Sequence, residues 1–248
     1  MTELVHYSVG DAVATITLDS PHNRNALSRQ LVSELFEHLR AATADDAVRV
    51  VLIRSSGKVF CSGADLSEAT ADGMEEGARR IVELQRLMVS MDKPVVVRAY
   101  GAVRAGGIGI VAASDVAVAN ESATFALTEV KLGLAAAIIS LTVHHRMNPR
   151  AAALTTLGGE VFSGTDAAAY GLVTLAVPDE EIDEKVASLC RSLATGAPQG
   201  LRESKRILNA DLIERIDARG ADLAALSARL FASDEAREAM TAFLSRKK

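Results

Sequence analysis

The chain has 248 residues, an apolar fraction of 49%, only 4% aromatics and no tryptophan. That length carries ample core for one large domain or two small ones, and an Ala/Val/Leu-rich, aromatic-poor interior suits an α/β protein with many helices. The net charge is −5 and the concentrated basic run is the terminal Arg246-Lys247-Lys248, so a nucleic-acid partner is not expected. Cys61 and Cys190 lie far apart without metal-ligand spacing, which suits a reduced, cytoplasmic protein. MTELVHYSV lacks a charged start followed by an apolar stretch, so no signal peptide is expected. The helical apolar stretch LAAAIISLTV (134–143) is about half of the ~20 residues a bilayer span needs, so no membrane partner is expected either.

VHYSV and AVATITL alternate in character and predict a hairpin, with Gly10-Asp11 as its turn. SPHNRNAL (20–27) reads as a loop. Ser28 is a good N-cap for a helix bearing Leu31, Leu35, Leu39 and Ala42 on one face. VRVVLIR (48–54) is a short buried strand, followed by the irregular, Gly-bearing GKVFCSGADL (57–66). Helical spacing returns over 73–90 at Ile81, Leu84, Leu87 and Met88, and Pro94 opens a third buried strand, PVVVRAY. DVAVA (115–119) is strand-like, TFALTEV (124–130) is extended, and the chain is mostly helical from about 138. Thr165 is expected to cap a short helix that Gly171 ends, before a strand over LVTLAVP (172–178). Helices are expected over 180–194, 199–209, 211–231 and 234–246, with Gly220 either a break or a tolerated glycine.

RAGGIGIVA (104–112) poses a question of its own. Gly107, Gly109 and Ala112 fit G-x-G-x-x-A, and Glu129 lies twenty positions beyond Gly109. A dinucleotide fingerprint needs its glycines in a tight strand-to-helix turn. Here Gly101 to Ala105 intervene, and Glu129 lies past a whole strand, so that reading is disfavoured. Close packing of a helix on a neighbouring backbone is a second use, but it leaves the preceding loop unexplained. A third use involves two loops. FCSGADL (60–66) and RAGG (104–107) each follow a buried strand, and N–H groups freed in both can point at one oxygen.

Six segments then carry a family resemblance: NRNALS (23–28), GKVFCSGADL (57–66), KPVVVRAYGAVRAGGIGIVAASD (93–115), FALTEVKLGL (125–134), FSGTDAAAYGLVTLAVP (162–178) and EAMTAFLSRKK (238–248). In this order, and over nearly the whole chain, they resemble the enoyl-CoA hydratase/isomerase (crotonase) superfamily. The resemblance implies an α/β fold: a spiral of β-β-α units over 1–193, then a helical region over 194–248 that builds trimers, often paired into hexamers. It implies an acyl-CoA thioester as substrate, with no metal and no separate cofactor, coenzyme A being part of the substrate. The N–H groups of Ala64 and Gly106 would hold the thioester oxygen as it becomes an enolate. Glu129 matches one of the two glutamates of the well-known hydratases, while the other should fall at Gly109, which has no side chain. Arg24, Ala26, Ser62, Asp65 and Leu66 match loops that line the CoA arm. Phe243 and Lys247 match a C-terminal pattern that reaches the adenine end, sometimes that of a neighbouring subunit.

With one acid missing, three readings stay open. Glu129 can hydrate a 2-enoyl-CoA by orienting a water whose own proton goes to Cα, or it can isomerise a double bond as a single base. The third is a silent acyl-CoA-binding protein, against which the retained Glu129 argues. VRAGGIGI with FALTEVKLGL most resembles the bacterial branch that includes methylglutaconyl-CoA-type hydratases, which favours hydration, although Ala136 stands where that branch usually has proline. Arg104 can meet a substrate carboxylate, a CoA phosphate or a neighbouring acid. Glu68, Asp72, Glu75 and Glu76 are expected to be surface groups, and Asp65 to stabilise a turn or helix start. His144, His145 and Cys61 lack an evident catalytic partner and read as packing or surface residues.

Overall fold

Strand β1 (Val5–Gly10) pairs antiparallel with β2 (Val13–Leu18), forming the expected hairpin. The computed structural model describes residues 2–65, 68 and 71–245. The hairpin turn sits on Asp11 and Ala12, both at positive φ (51° and 61°), one residue later than Gly10-Asp11 predicts. Two successive left-handed residues give the turn whose twist matches paired strands. This register leaves Ala14, Ile16 and Leu18 fully buried on one side of β2. Ser28 then caps α1 (Arg29–Ala44) as expected, its hydroxyl accepting the Leu31 N–H at 3.3 Å.

β3 (Val50–Ser55) runs parallel to β2, and the chain continues through β4 (Val59–Cys61), α2 (Ala71–Ser90), β5 (Val95–Ala99), β6 (Ala102–Arg104) and α3 (Gly106–Ala113). β7 (Val116–Asn120) and β8 (Thr124–Ala126) follow, then a 3-10 turn over Thr128–Leu132. Two sheets result. One has the order β1-β2-β3-β5-β7-β10, where β10 is Leu175–Val177; the other is β4-β6-β8-β9, where β9 is Phe162–Ser163. β3, β5 and β7 each hand the chain to a short strand of the second sheet, and a helix follows twice. These β-β-α units are the spiral that the resemblance implies. The short strands escape sequence periodicity because three residues contain too little alternation to detect.

Gly101 makes the corner between β5 and β6. Its φ is +74°, and an added Cβ would lie 1.9 Å from the Lys58 carbonyl oxygen. Neither the conformation nor the space admits a side chain.

The later helices are α4 (Ser140–Arg146), α5 (Pro149–Gly158), α6 (Gly164–Ala169), α7 (Ile182–Ala194), α8 (Pro198–Phe231) and α9 (Asp234–Ser245). Ser163, not Thr165, caps α6: its hydroxyl accepts the Asp166 N–H, and the Asp166 carboxylate accepts the Ser163 N–H, both at 3.0 Å. This reciprocal box places the helix start two residues earlier than expected. α8 joins what reads as two helices, because Pro198 occupies its first turn and Gly220 is tolerated. Gly220 faces α2 so closely that a Cβ would meet Val82 Cγ1 at 2.7 Å. Leu212, Ile216 and Ala224 of α8 enter the main core. The buried Lys205 ammonium fastens α8 further, donating at 2.8 Å to the Met88 and Lys93 carbonyls and pairing with Asp115. α7 covers the opposite face of the larger sheet, with Ile182, Val186 and Cys190 against Val50, Val96 and Val118. Among the described residues no helix is long and apolar enough to cross a membrane.

Gly101→Ala should destabilise the fold by about 3 kcal/mol or more, combining backbone strain with a backbone clash. Urea denaturation followed by circular dichroism measures this; an unchanged midpoint would refute the account of the corner.

Candidate active site

The start of α3 forms one wall of the site. Ala105 precedes it at φ 46° and ψ −118°, a conformation that L-residues rarely adopt. Gly106 is the first helical residue, so its N–H has no partner within the helix. The next two glycines serve packing. A Cβ on Gly107 would lie 2.6 Å from Cys61 Cβ, and one on Gly109 would lie 2.4 Å from Ile139 Cγ2. Helix α3 thus presses on the end of β4 and on the turn at 137–139. Glu129 sits in a 3-10 turn rather than at the end of a second parallel strand, so the dinucleotide arrangement is absent.

The loop after β4 forms the second wall. Gly63 (φ 99°) comes so close to α3 that an added Cβ would meet Ala105 Cβ at 3.0 Å. The loop at 20–27 supports it from behind. The Leu27 N–H donates to Gly63 O at 2.8 Å, and the Ser62 N–H donates to Arg24 O at 3.1 Å. The Ser62 hydroxyl donates to Asn23 O at 3.0 Å, and the Asn25 amide reaches Val59 O at 2.9 Å. Ala64 and Gly106 both line a cavity of about 270 Å³. Neither of their N–H groups finds an acceptor among the described residues.

Glu129 lines the same cavity, with Leu27, Ala135, Ala136, Ile138 and Ile139 among its other walls. Its Oε2 is buried without a hydrogen-bond partner among the described residues. Burial pushes its pKa from 4.5 up to about 7, opposed only in part by its own backbone N–H. A carboxyl poised there gives and takes protons near neutrality. Gly109 leaves no space for a second acid, because Ile139 fills it. Gln85, 2% exposed, holds that turn: its amide donates to Ile138 O at 2.9 Å and Ile81 O at 3.1 Å. Its carbonyl accepts the Thr142 hydroxyl at 2.6 Å. The sequence reading missed Gln85; the available signal was a polar residue four positions after Ile81, on the apolar face of α2.

The family model described as enoyl-CoA hydratase/isomerase matches residues 8–248. The chain belongs to this family. It is 46% identical to an enoyl-CoA hydratase from Mycobacterium avium, whose crystal structure superposes with a TM-score of 0.93 over 99% of this chain and 98% of that one. It is also 29% identical to 1,2-epoxyphenylacetyl-CoA isomerase of Escherichia coli, over 100% of this chain and 97% of the relative. A Danio rerio relative named enoyl-CoA hydratase domain-containing protein 3, mitochondrial, is 27% identical over 95% of this chain and 83% of its own length.

The other residues expected at this crotonase-type site separate into groups. Asp65 lines the cavity and accepts the Asn23 amide at 2.9 Å. Arg24 is exposed at φ 59°, while Ala26 is buried beside it. Leu66 and Lys247 lie outside the described residues, and Phe243 falls near the end of α9. Arg104 departs from expectation. Its guanidinium donates to Thr124 O at 2.5 Å, Thr124 Oγ1 at 3.0 Å and Val103 O at 2.9 Å. The parallel pairing of β6 with β8 puts it against the neighbouring strand, where it ties backbone together and meets no acid. Arg104 is not among the described residues lining the cavity; in this structure its guanidinium ties β6 to β8.

Glu68 and Glu76, expected at the surface, reach the cavity wall. Glu68 accepts the Arg29 N–H at 2.8 Å, and Glu76 pairs with Arg79. Asp72 lies in α2, and Glu75 is exposed there. The buried Cys61 thiol is pushed up to about 12 by desolvation, which leaves it inert as a nucleophile. His144 and His145 lie on α4, both with pKa lowered by burial and nearby arginines. Among the described residues, no group of three or more His, Cys, Asp or Glu is arranged to hold a metal ion.

The raised Glu129 pKa has a stability consequence. The folded state favours the neutral carboxyl, so its stabilising contribution is full below about pH 4.5 and is lost as pH rises through about 7. Glu129→Gln mimics the neutral form. It should be more stable than the wild type by about 3 kcal/mol at pH 8, the gain shrinking toward pH 5. Chemical denaturation at both pH values measures the difference; an equal effect at each would contradict a buried, raised carboxyl.

Proposed function

We propose that this chain hydrates the double bond of a 2-enoyl-CoA thioester, with Glu129 as its single acid–base carboxyl. The observation that carries the reading is Glu129, whose Oε2 has no partner among the described residues, in the same cavity as Ala64 and Gly106, whose N–H groups find no acceptor among the described residues. Both N–H groups donate to the thioester oxygen and stabilise it as it becomes an enolate. Ionised Glu129 orients a water and accepts one of its protons as the oxygen bonds to Cβ. The proton then passes to Cα, so the elements of one water add across the double bond. The CoA arm is placed along Arg24, Ala26, Ser62, Asp65 and Leu66, with Phe243 and Lys247 toward the adenine. The scheme calls for no metal or redox cofactor. The assembly proposed is a trimer or a pair of trimers in the cytoplasm.

One observation favours isomerisation as a second reading. A held water needs two or more polar partners. Beside Glu129 the described wall is largely apolar, and Ile139 takes the place of a second acid. In that reading Glu129 removes a proton from Cα of a 3-enoyl-CoA and returns it to Cγ, which moves the double bond.

Turnover of crotonyl-CoA, a longer 2-enoyl-CoA and a 3-enoyl-CoA in heavy-oxygen water, followed by mass spectrometry, tests both. Heavy oxygen should appear in a 3-hydroxyacyl product, and Glu129→Gln should lower the rate by about 10²- to 10⁴-fold. Because the working base is ionised, kcat/KM should rise as pH passes about 7. A shifted double bond without oxygen uptake would establish the isomerase, and tight acyl-CoA binding without turnover would overturn both.

A further inference from the structure

The acyl cavity contains a cation that neither the proposed hydration nor the isomerisation uses. Arg80 lies on α2 and lines the cavity wall. Its guanidinium carbon sits 4.2 Å from the centroid of the Phe36 ring, and Phe36 is itself only 4% exposed. A cation over a buried ring is held by the ring face without using its N–H groups as hydrogen-bond donors. No described residue accepts a hydrogen bond from that guanidinium, and its ion pair with the half-exposed Glu83 of the same helix is long, at 3.9 Å. The side chain is 30% exposed.

The acids on the same wall are engaged elsewhere. Asp65 accepts from Asn23, Glu68 accepts from the Arg29 backbone, and Glu76 pairs with Arg79. Glu129 is the proton carrier. Arg104, the other arginine considered for an anionic substrate, is spent on Thr124. A planar donor array on a wall whose acids are engaged elsewhere is suited to a carboxylate.

We propose that Arg80 anchors an anionic group on the acyl chain, so that the preferred substrate is a CoA thioester bearing a second, free carboxylate. This rests on the acyl-CoA reading above. The Arg80 guanidinium forms charge-assisted hydrogen bonds to that carboxylate while the thioester end sits at Ala64 and Gly106. Arg80 takes no part in proton transfer; it sets specificity.

Equilibrium binding tests this independently of turnover. Glutaryl-CoA and pentanoyl-CoA are saturated, of equal chain length, and differ in the distal carboxylate. Calorimetry should show that the wild type prefers glutaryl-CoA. Arg80→Met should lower glutaryl-CoA affinity by about 10- to 100-fold and leave pentanoyl-CoA within about threefold. Arg80→Lys, which keeps the charge without the fork, should retain part of the preference and serves if the methionine variant does not fold. Arg29 also lines the cavity but is more exposed, and Arg29→Met should change the two ligands alike. An equal loss on both ligands in Arg80→Met would assign Arg80 to the CoA moiety and overturn the proposal, as would no change on either, or a preference that follows Arg29. A wild type that binds both equally overturns the carboxylate alone; one that binds neither overturns the acyl-CoA reading with it.

Discussion

The site depends on a contact that only residues without side chains allow. Gly107 brings α3 against Cys61 at the end of β4, and Gly109 brings it against Ile139. This close approach sets the loop at Gly63–Ala64 beside Ala105–Gly106. Ala64 and Gly106, from segments some forty residues apart, therefore line one cavity. Dispersion and exclusion of water hold such a contact, and a single methyl group would force it apart. Ala105 bears part of the cost through its unusual backbone, which the packed surroundings impose.

The same packing determines the chemistry available. Ile139, held by Gln85 and Thr142, fills the space beside Gly109 and surrounds Glu129 with apolar wall. Desolvation, only partly opposed by its own backbone N–H, holds that carboxyl near pH 7, where it can both take and give a proton. The arrangement costs stability whenever the carboxyl is ionised, a common relation between working groups and the fold around them. Helix α2 links these features. It carries Gln85 to the Ile138–Ile139 turn, Arg80 to the cavity, and Val82 to the close contact with Gly220 of α8.

Much of the fold was legible locally. Ser28 and its four apolar partners on α1, the hairpin alternation and the β-branched runs of β3 and β5 each express a short-range rule. The errors were also local in kind. Thr165 looked like a cap, but Ser163 forms the reciprocal bond with Asp166. Residues 199–209 and 211–231 read as separate helices, with Gly220 a break or a tolerated glycine; α8 runs through both, and Gly220 is tolerated where it packs on α2. Arg104 looked like a substrate contact because it adjoins the glycine loop; chain proximity did not show that its side chain turns toward β8.

By itself, the sequence determined the order of the long strands and helices, the helix cap at Ser28, the absence of a side chain at Gly109, and the ordered motifs that mark the family. Those are properties of residue identity, spacing and short-range bonding. The tertiary structure decided that β4, β6, β8 and β9 form a second sheet, that the Glu129 Oε2 is buried without a partner among the described residues, and that Arg80, and not Arg104, is among the described residues lining the cavity. Each of these depends on which distant segments exclude water from which group, and burial of that kind arises only when the segments meet.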